Sequence, residues 1–102
     1  MKINFDEVLK DIDGVDMRDP KPDGSEGSPT TLKSVCVRAL TIPLAADTNL
    51  TGEDAFKRLE LARKVNKGGE QEIDPADAVT IRDRAAKMFA VQVSGQVYEK
   101  LR

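Results

Sequence analysis

The sequence predicts an α+β fold, an N-terminal β-hairpin followed by about four short helices packed around one core. Three observations carry that expectation. Asp13-Gly14 stands between two short alternating segments, Ile3-Asn4-Phe5 and Val15-Asp16-Met17, and this dipeptide suits the positive φ angles of a tight hairpin turn. Downstream, apolar residues recur at helical spacing in separate runs. Caps and breakers divide those runs at Thr30-Thr31, Pro43, Thr51, Gly68-Gly69 and Asp74-Pro75. At 102 residues the chain fits a single domain, 1–102.

The hairpin is expected over residues 3–18. Val8 and Leu9 also follow Phe5 at helical distance, so "DEVLKDI" admits a short helix as the alternative. The next stretch, 18–30, reads "RDPKPDGSEGSPT". Its prolines and glycines offer little to bury, and a mobile loop is expected.

The first helix should run from about Leu32 to Thr41, capped by a threonine hydroxyl at 30 or 31. Leu32, Val35, Cys36, Ala39 and Leu40 form its apolar face, and Pro43 stops it. The second should span about Gly52 to Lys67, with Thr51 as cap and Gly68-Gly69 as terminator. Phe56, Leu59, Ala62 and Val65 are its expected buried stripe. Glu53–Lys57 and Glu60–Lys64 stand at the spacing of i,i+4 ion pairs.

"EQEID" is a candidate extra strand against the hairpin. A third helix starts at Asp74 with Pro75 in its first turn. Ala78, Ile81, Ala85, Met88 and Phe89 share its apolar face. A break near Ala90–Gln92 precedes a last helix, about Val93 to Leu101, which presents Val97, Tyr98 and Leu101. Gly95 inside that helix costs about 1 kcal/mol against alanine, so the segment needs tertiary support or close packing to hold.

Composition narrows the chemistry. The chain has no histidine, one cysteine and a formal net charge of -2. Imidazole acid–base catalysis, His-ligated zinc and an internal disulfide are thereby excluded. Interspersed charge argues against nucleic acid or anionic lipid as a partner. No apolar run approaches the ~20 residues of a membrane span, and acids at the N-terminus argue against a signal peptide.

The individual candidates fare no better as reacting centres. Asp11, Asp13 and Asp16 surround Gly14, but the glycine falls at the wrong position for a calcium loop. A wet turn accounts for them. Cys36 lies on an apolar helical face, as a core residue does. Lys57, Arg58, Arg63, Lys64 and Lys67 are offset by Glu53, Asp54 and Glu60, the pattern of a solvated helix. "IDPADAVTIRDRAAKMFAVQVSGQ" can be drawn as a helix-turn-helix, yet its second helix lacks the Arg, Asn or Lys run that reads bases. "NKGGEQ" lacks the glycine spacing of a phosphate loop. Neither an enzyme activity nor a cofactor or metal is expected.

The order "FDEVLKDIDG", "TLKSVCVRAL", "TGEDAFKRLELARKV" and "VSGQVYEKL" resembles a family of small uncharacterised proteins encoded by tailed bacteriophages and prophages. The likeness covers most of the chain and excludes 18–30, which is longer here. It rests on residues such as Phe5, Leu9, Gly14, Leu32, Val35, Leu40, Glu53, Arg58, Ile81, Gly95, Gln96 and Leu101. It implies phage or prophage origin and no enzyme. Gly95 and Gln96 are the expected partner-contact residues, since a helical glycine lets another backbone approach.

The expected function is non-enzymatic protein–protein contact, in virion morphogenesis or as an assembly accessory. The alternative is a regulatory or replication-associated nucleic-acid binder using the last two helices. Expected partners are phage proteins or a second copy of the chain, with no membrane. The expected location is the cytoplasm of the bacterial host, with virion association as an extension of it.

Overall fold

The computed structural model describes residues 1–19, 27–44, 47 and 50–102. The fold is α+β, as the sequence predicts. Its elements are β1 (Lys2–Asn4), α1 (Leu32–Thr41), α2 (Gly52–Asn66), β2 (Glu70–Glu72), α3 (Pro75–Met88) and α4 (Val91–Leu101).

The hairpin is present, and the residues of its first arm differ from the expected ones. Lys10 bridges Asp16 in antiparallel fashion, and Met17 donates its N–H to the Leu9 carbonyl at 2.9 Å. Gly14 turns the chain with φ of 82°. Ile3 belongs instead to β1, which pairs antiparallel with β2 in the register Lys2↔Glu72, Ile3↔Gln71, Asn4↔Glu70. The "EQEID" segment is therefore a strand, and it supplies the pairing that Val15 and Met17 were expected to give. Alternation alone marks Ile3 and Phe5 as extended; it does not say which segment lies beside them.

The 18–30 expectation lies partly outside the described residues. Its described ends are tied down. Arg18 bridges Pro29, Asp19 donates to the Ser28 carbonyl at 3.0 Å, and the buried Thr30 donates its hydroxyl to Asp19 at 2.9 Å.

The helices begin where the caps predict. Thr31 accepts from the Ser34 N–H at 3.2 Å, and Thr51 from Asp54 at 3.1 Å. Asp74 takes the N-cap position of α3 without a side-chain cap bond, and Pro75 begins the helix. Gly68 and Gly69 end α2 at φ of 71° and 66°, a left-handed pair that only glycine adopts cheaply. The Gly69 carbonyl then accepts from Phe5 at 2.9 Å, linking the stop to the N-terminal segment. α4 begins two residues earlier than expected, at Val91, because Phe89 and Ala90 alone make the break.

The core gathers Ile3, Phe5 and Leu9 with the entire predicted face of α1, then Ala62, Val65, Ile73, Ala78, Ile81, Ala85, Val97 and Leu101. Two expectations need correction. In α2 only Ala62 and Val65 are buried; Phe56 is 61% exposed and Leu59 is also in water. The series 56, 59, 62, 65 advances by three at every step. At about 100° per residue each step falls short of a full turn, so Phe56 ends about half a turn from Val65. In α4, Val97 and Leu101 are buried while Tyr98 is exposed and carries the Arg82 guanidinium 4.9 Å from its ring centre. That contact is a cation–π pair on the surface.

Candidate functional site

Two places hold side chains that the core does not explain. The first is a groove of about 590 Å³ between the hairpin and α4, lined by residues including Ile12, Val91, Gly95, Gln96 and Glu99. The second is a pair of arginines on one aspartate beside the C-terminal end of α1.

Beside the groove, a side-chain amide ties α4 to the hairpin. Gln96 Oε1 accepts from the Lys10 N–H at 2.9 Å, and Gln96 Nε2 donates to the Lys10 carbonyl at 2.6 Å. The amide thus imitates a neighbouring strand and satisfies both backbone groups of one residue. Nearby, Lys100 reaches Glu7 at 2.9 Å, and Lys10 pairs with Asp16. Asp11 Oδ1 accepts from the Asp13 and Val15 N–H groups at 2.9 and 3.0 Å, so that carboxylate shapes the turn.

Gln96, an expected contact residue, is therefore committed to an intramolecular bond. Gly95 is exposed, and a side chain placed there would meet nothing within 4 Å. No contact inside the fold requires glycine at this position. The groove also holds Ile12 at 88% and Val91 at 87% exposure. Neither was singled out by sequence, since Ile12 sits in an acidic turn and Val91 in the expected helix break.

The arginine pair follows from Pro43. The Ala39 carbonyl in α1 would ordinarily accept from the residue four positions on, but that residue is proline and has no N–H. Arg84 of α3 supplies the missing donor: its Nε–H goes to the Ala39 carbonyl and one Nη2 hydrogen to the Ile42 carbonyl at 3.0 Å. The cation also complements the negative end of the helix. Its remaining donors fork onto Asp47, at 2.9 and 3.2 Å, and Arg58 of α2 joins the same carboxylate at 2.9 Å. Asp47 also accepts from the Leu44 N–H at 2.8 Å. The Arg84 hydrogen bond, then those from Leu44 and Arg58, hold the Asp47 carboxyl well below the usual carboxylate range.

Arg84 is a buried cation, 7% exposed, and is not among the residues expected in the core. A signal was available, because position 84 lies three residues after Ile81 on the apolar face of α3. Arg58 leaves the basic set expected on the α2 surface and points to Asp47. Glu53 takes Lys57 at 3.2 Å, and Glu60 takes Arg63 at 2.8 Å rather than Lys64. Cys36 is fully buried, and burial pushes its thiol up to about 12.

No family model matches the chain, and comparison with curated proteins and with solved structures likewise returns no match. Among the described residues no helix is long and apolar enough to cross a membrane.

Proposed function

We propose that the protein is a phage or prophage component without catalytic activity, acting by protein–protein contact in virion assembly. In this reading a partner from the assembling particle seats in the groove between the hairpin and α4, within the host cytoplasm. One observation carries it. Gly95 costs helix stability, serves no contact of its own fold, and faces a groove that also holds two aliphatic side chains left in water. A partner would cover Ile12 and Val91 and approach the α4 backbone closely at Gly95. The nucleic-acid alternative draws less support: Gln96 and Lys100, polar side chains of the last helix it would use, are bonded to Lys10 and Glu7.

The test uses Gly95→Ala beside wild type in pulldowns from phage-infected bacteria. Alanine should raise the stability of the isolated protein by up to about 1 kcal/mol while reducing capture of the phage partner. Ile12→Asp with Val91→Asp should abolish capture and leave the circular-dichroism spectrum unchanged. Equal capture by all variants, or no phage protein captured by wild type, would refute the reading. Binding to DNA or RNA that weakens steeply as salt rises would favour the alternative.

A further inference from the structure

The arginine pair opens onto a cleft of about 330 Å³, a volume at the lower end for small-molecule sites. Its walls include Ile42, Leu50, Ala55 and Leu59, all four of them exposed. Arg58, Arg84 and Asp47 also line it. Two guanidinium cations therefore face one carboxylate, and the cleft keeps one net positive charge. The depressed Asp47 carboxyl keeps that balance throughout the neutral range.

The two cations play different parts. Arg84 is buried and spends its donors on two carbonyls and on Asp47. Arg58 is more open and gives one Nη1 bond to Asp47. Its Nε–H and Nη2 donors have no partner among the described residues. A guanidinium edge with free donors matches a carboxylate, and the aliphatic walls match an apolar body.

We propose that this cleft binds a small amphipathic carboxylate, with its chain against Ile42, Leu50 and Leu59 and its head on Arg58. The inference is independent of the partner groove, which lies on the hairpin and α4. Sodium octanoate is the probe, with 1-octanol as the uncharged match, each titrated into the ¹⁵N-labelled full chain. Octanoate should produce saturable amide shifts centred on Ile42, Ala55 and Leu59, with octanol at least about tenfold weaker. Arg58→Gln, which leaves Arg84 on Asp47, should weaken octanoate about tenfold and leave octanol unchanged. Equal binding of the two probes, shifts centred elsewhere, unchanged octanoate binding by folded Arg58→Gln, or no saturation below about 10 mM would overturn the proposal. If Arg58→Gln does not fold, the comparison of the two probes on the wild-type chain decides.

Discussion

Replacing Arg84 with methionine tests the account of how α1 is held to the rest of the fold. Methionine keeps an unbranched stem in the same space and removes the guanidinium. The Ala39 carbonyl then loses the donor that Pro43 denies it, and the Ile42 carbonyl loses its bond from Nη2. Bonds from a charged donor contribute about 1.5–3 kcal/mol each, and the adjoining cleft lets water replace part of them. Loss of the fork onto Asp47 adds to this, while Arg58 remains to hold that carboxylate. A net cost of about 3 kcal/mol is expected. A chain of this length has about 5–15 kcal/mol in total, so the melting temperature should fall by about 12 °C or more.

Urea unfolding followed by far-UV circular dichroism is the suitable assay, because the chain has no tryptophan and its single tyrosine, Tyr98, is exposed. The midpoint should fall with the slope unchanged. Arg84→Lys should lie between methionine and wild type, since an ammonium supplies charge without the planar fork. Asp47→Ala should cost less on the methionine background than on wild type, as expected for groups in one network. A loss below about 1 kcal/mol for Arg84→Met, or full additivity with Asp47→Ala, would refute the argument.

The same network predicts acid behaviour. Asp47 has a lowered folded pKa, so its stabilisation is present above its unfolded value of about 3.9 and is lost as pH falls toward the folded one. Asp47→Asn should therefore show a flatter decline of stability than wild type from about pH 4 downward; parallel curves would contradict this. Gln96→Ala should abolish hydrogen-exchange protection of the Lys10 amide, whose acceptor is Gln96 Oε1, while the α1 amides remain protected. Gly68→Ala should destabilise by more than about 1 kcal/mol, because φ is 71° and the new Cβ would lie 2.7 Å from Asp6 Oδ1; urea unfolding measures it. Cys36, buried and with its thiol pushed up to about 12, should resist a disulfide reagent at pH 8 until the chain unfolds, and fast labelling of the native protein would show otherwise.

The legible parts of the sequence were those fixed by local physics. A cap needs a hydroxyl beside free N–H groups, and Thr31 and Thr51 supply it. A helix stop needs positive φ, and Gly68-Gly69 supply it. The face of α1 mixes steps of three and four residues, so it stays on one side and is buried throughout. The stripe assigned to α2 had steps of three only and wound around the helix, which leaves Phe56 exposed. The spacing itself, three steps of about 300°, already places Phe56 half a turn from Val65.

The surroundings of Gly95 and Gln96, the two residues expected to meet a partner, differ for a related reason. Gly95 faces the groove, whereas Gln96 is consumed by Lys10, a residue 86 positions away in sequence. Nothing local marks that bond. The same holds for β1, whose partner is β2, and for Arg84, which answers a vacancy that Pro43 makes on a different helix.

Propensity, capping and turn chemistry act over a few residues, so the α+β class, the order of the elements and nearly all of their ends are legible along the chain. The assembled fold alone settles which strand lies beside Ile3, where the Gln96 amide bonds and why an arginine is buried in α3. Those outcomes depend on which distant donors and acceptors meet when the elements are brought together, and a backbone group left unpaired by its neighbours takes its partner from wherever the fold delivers one.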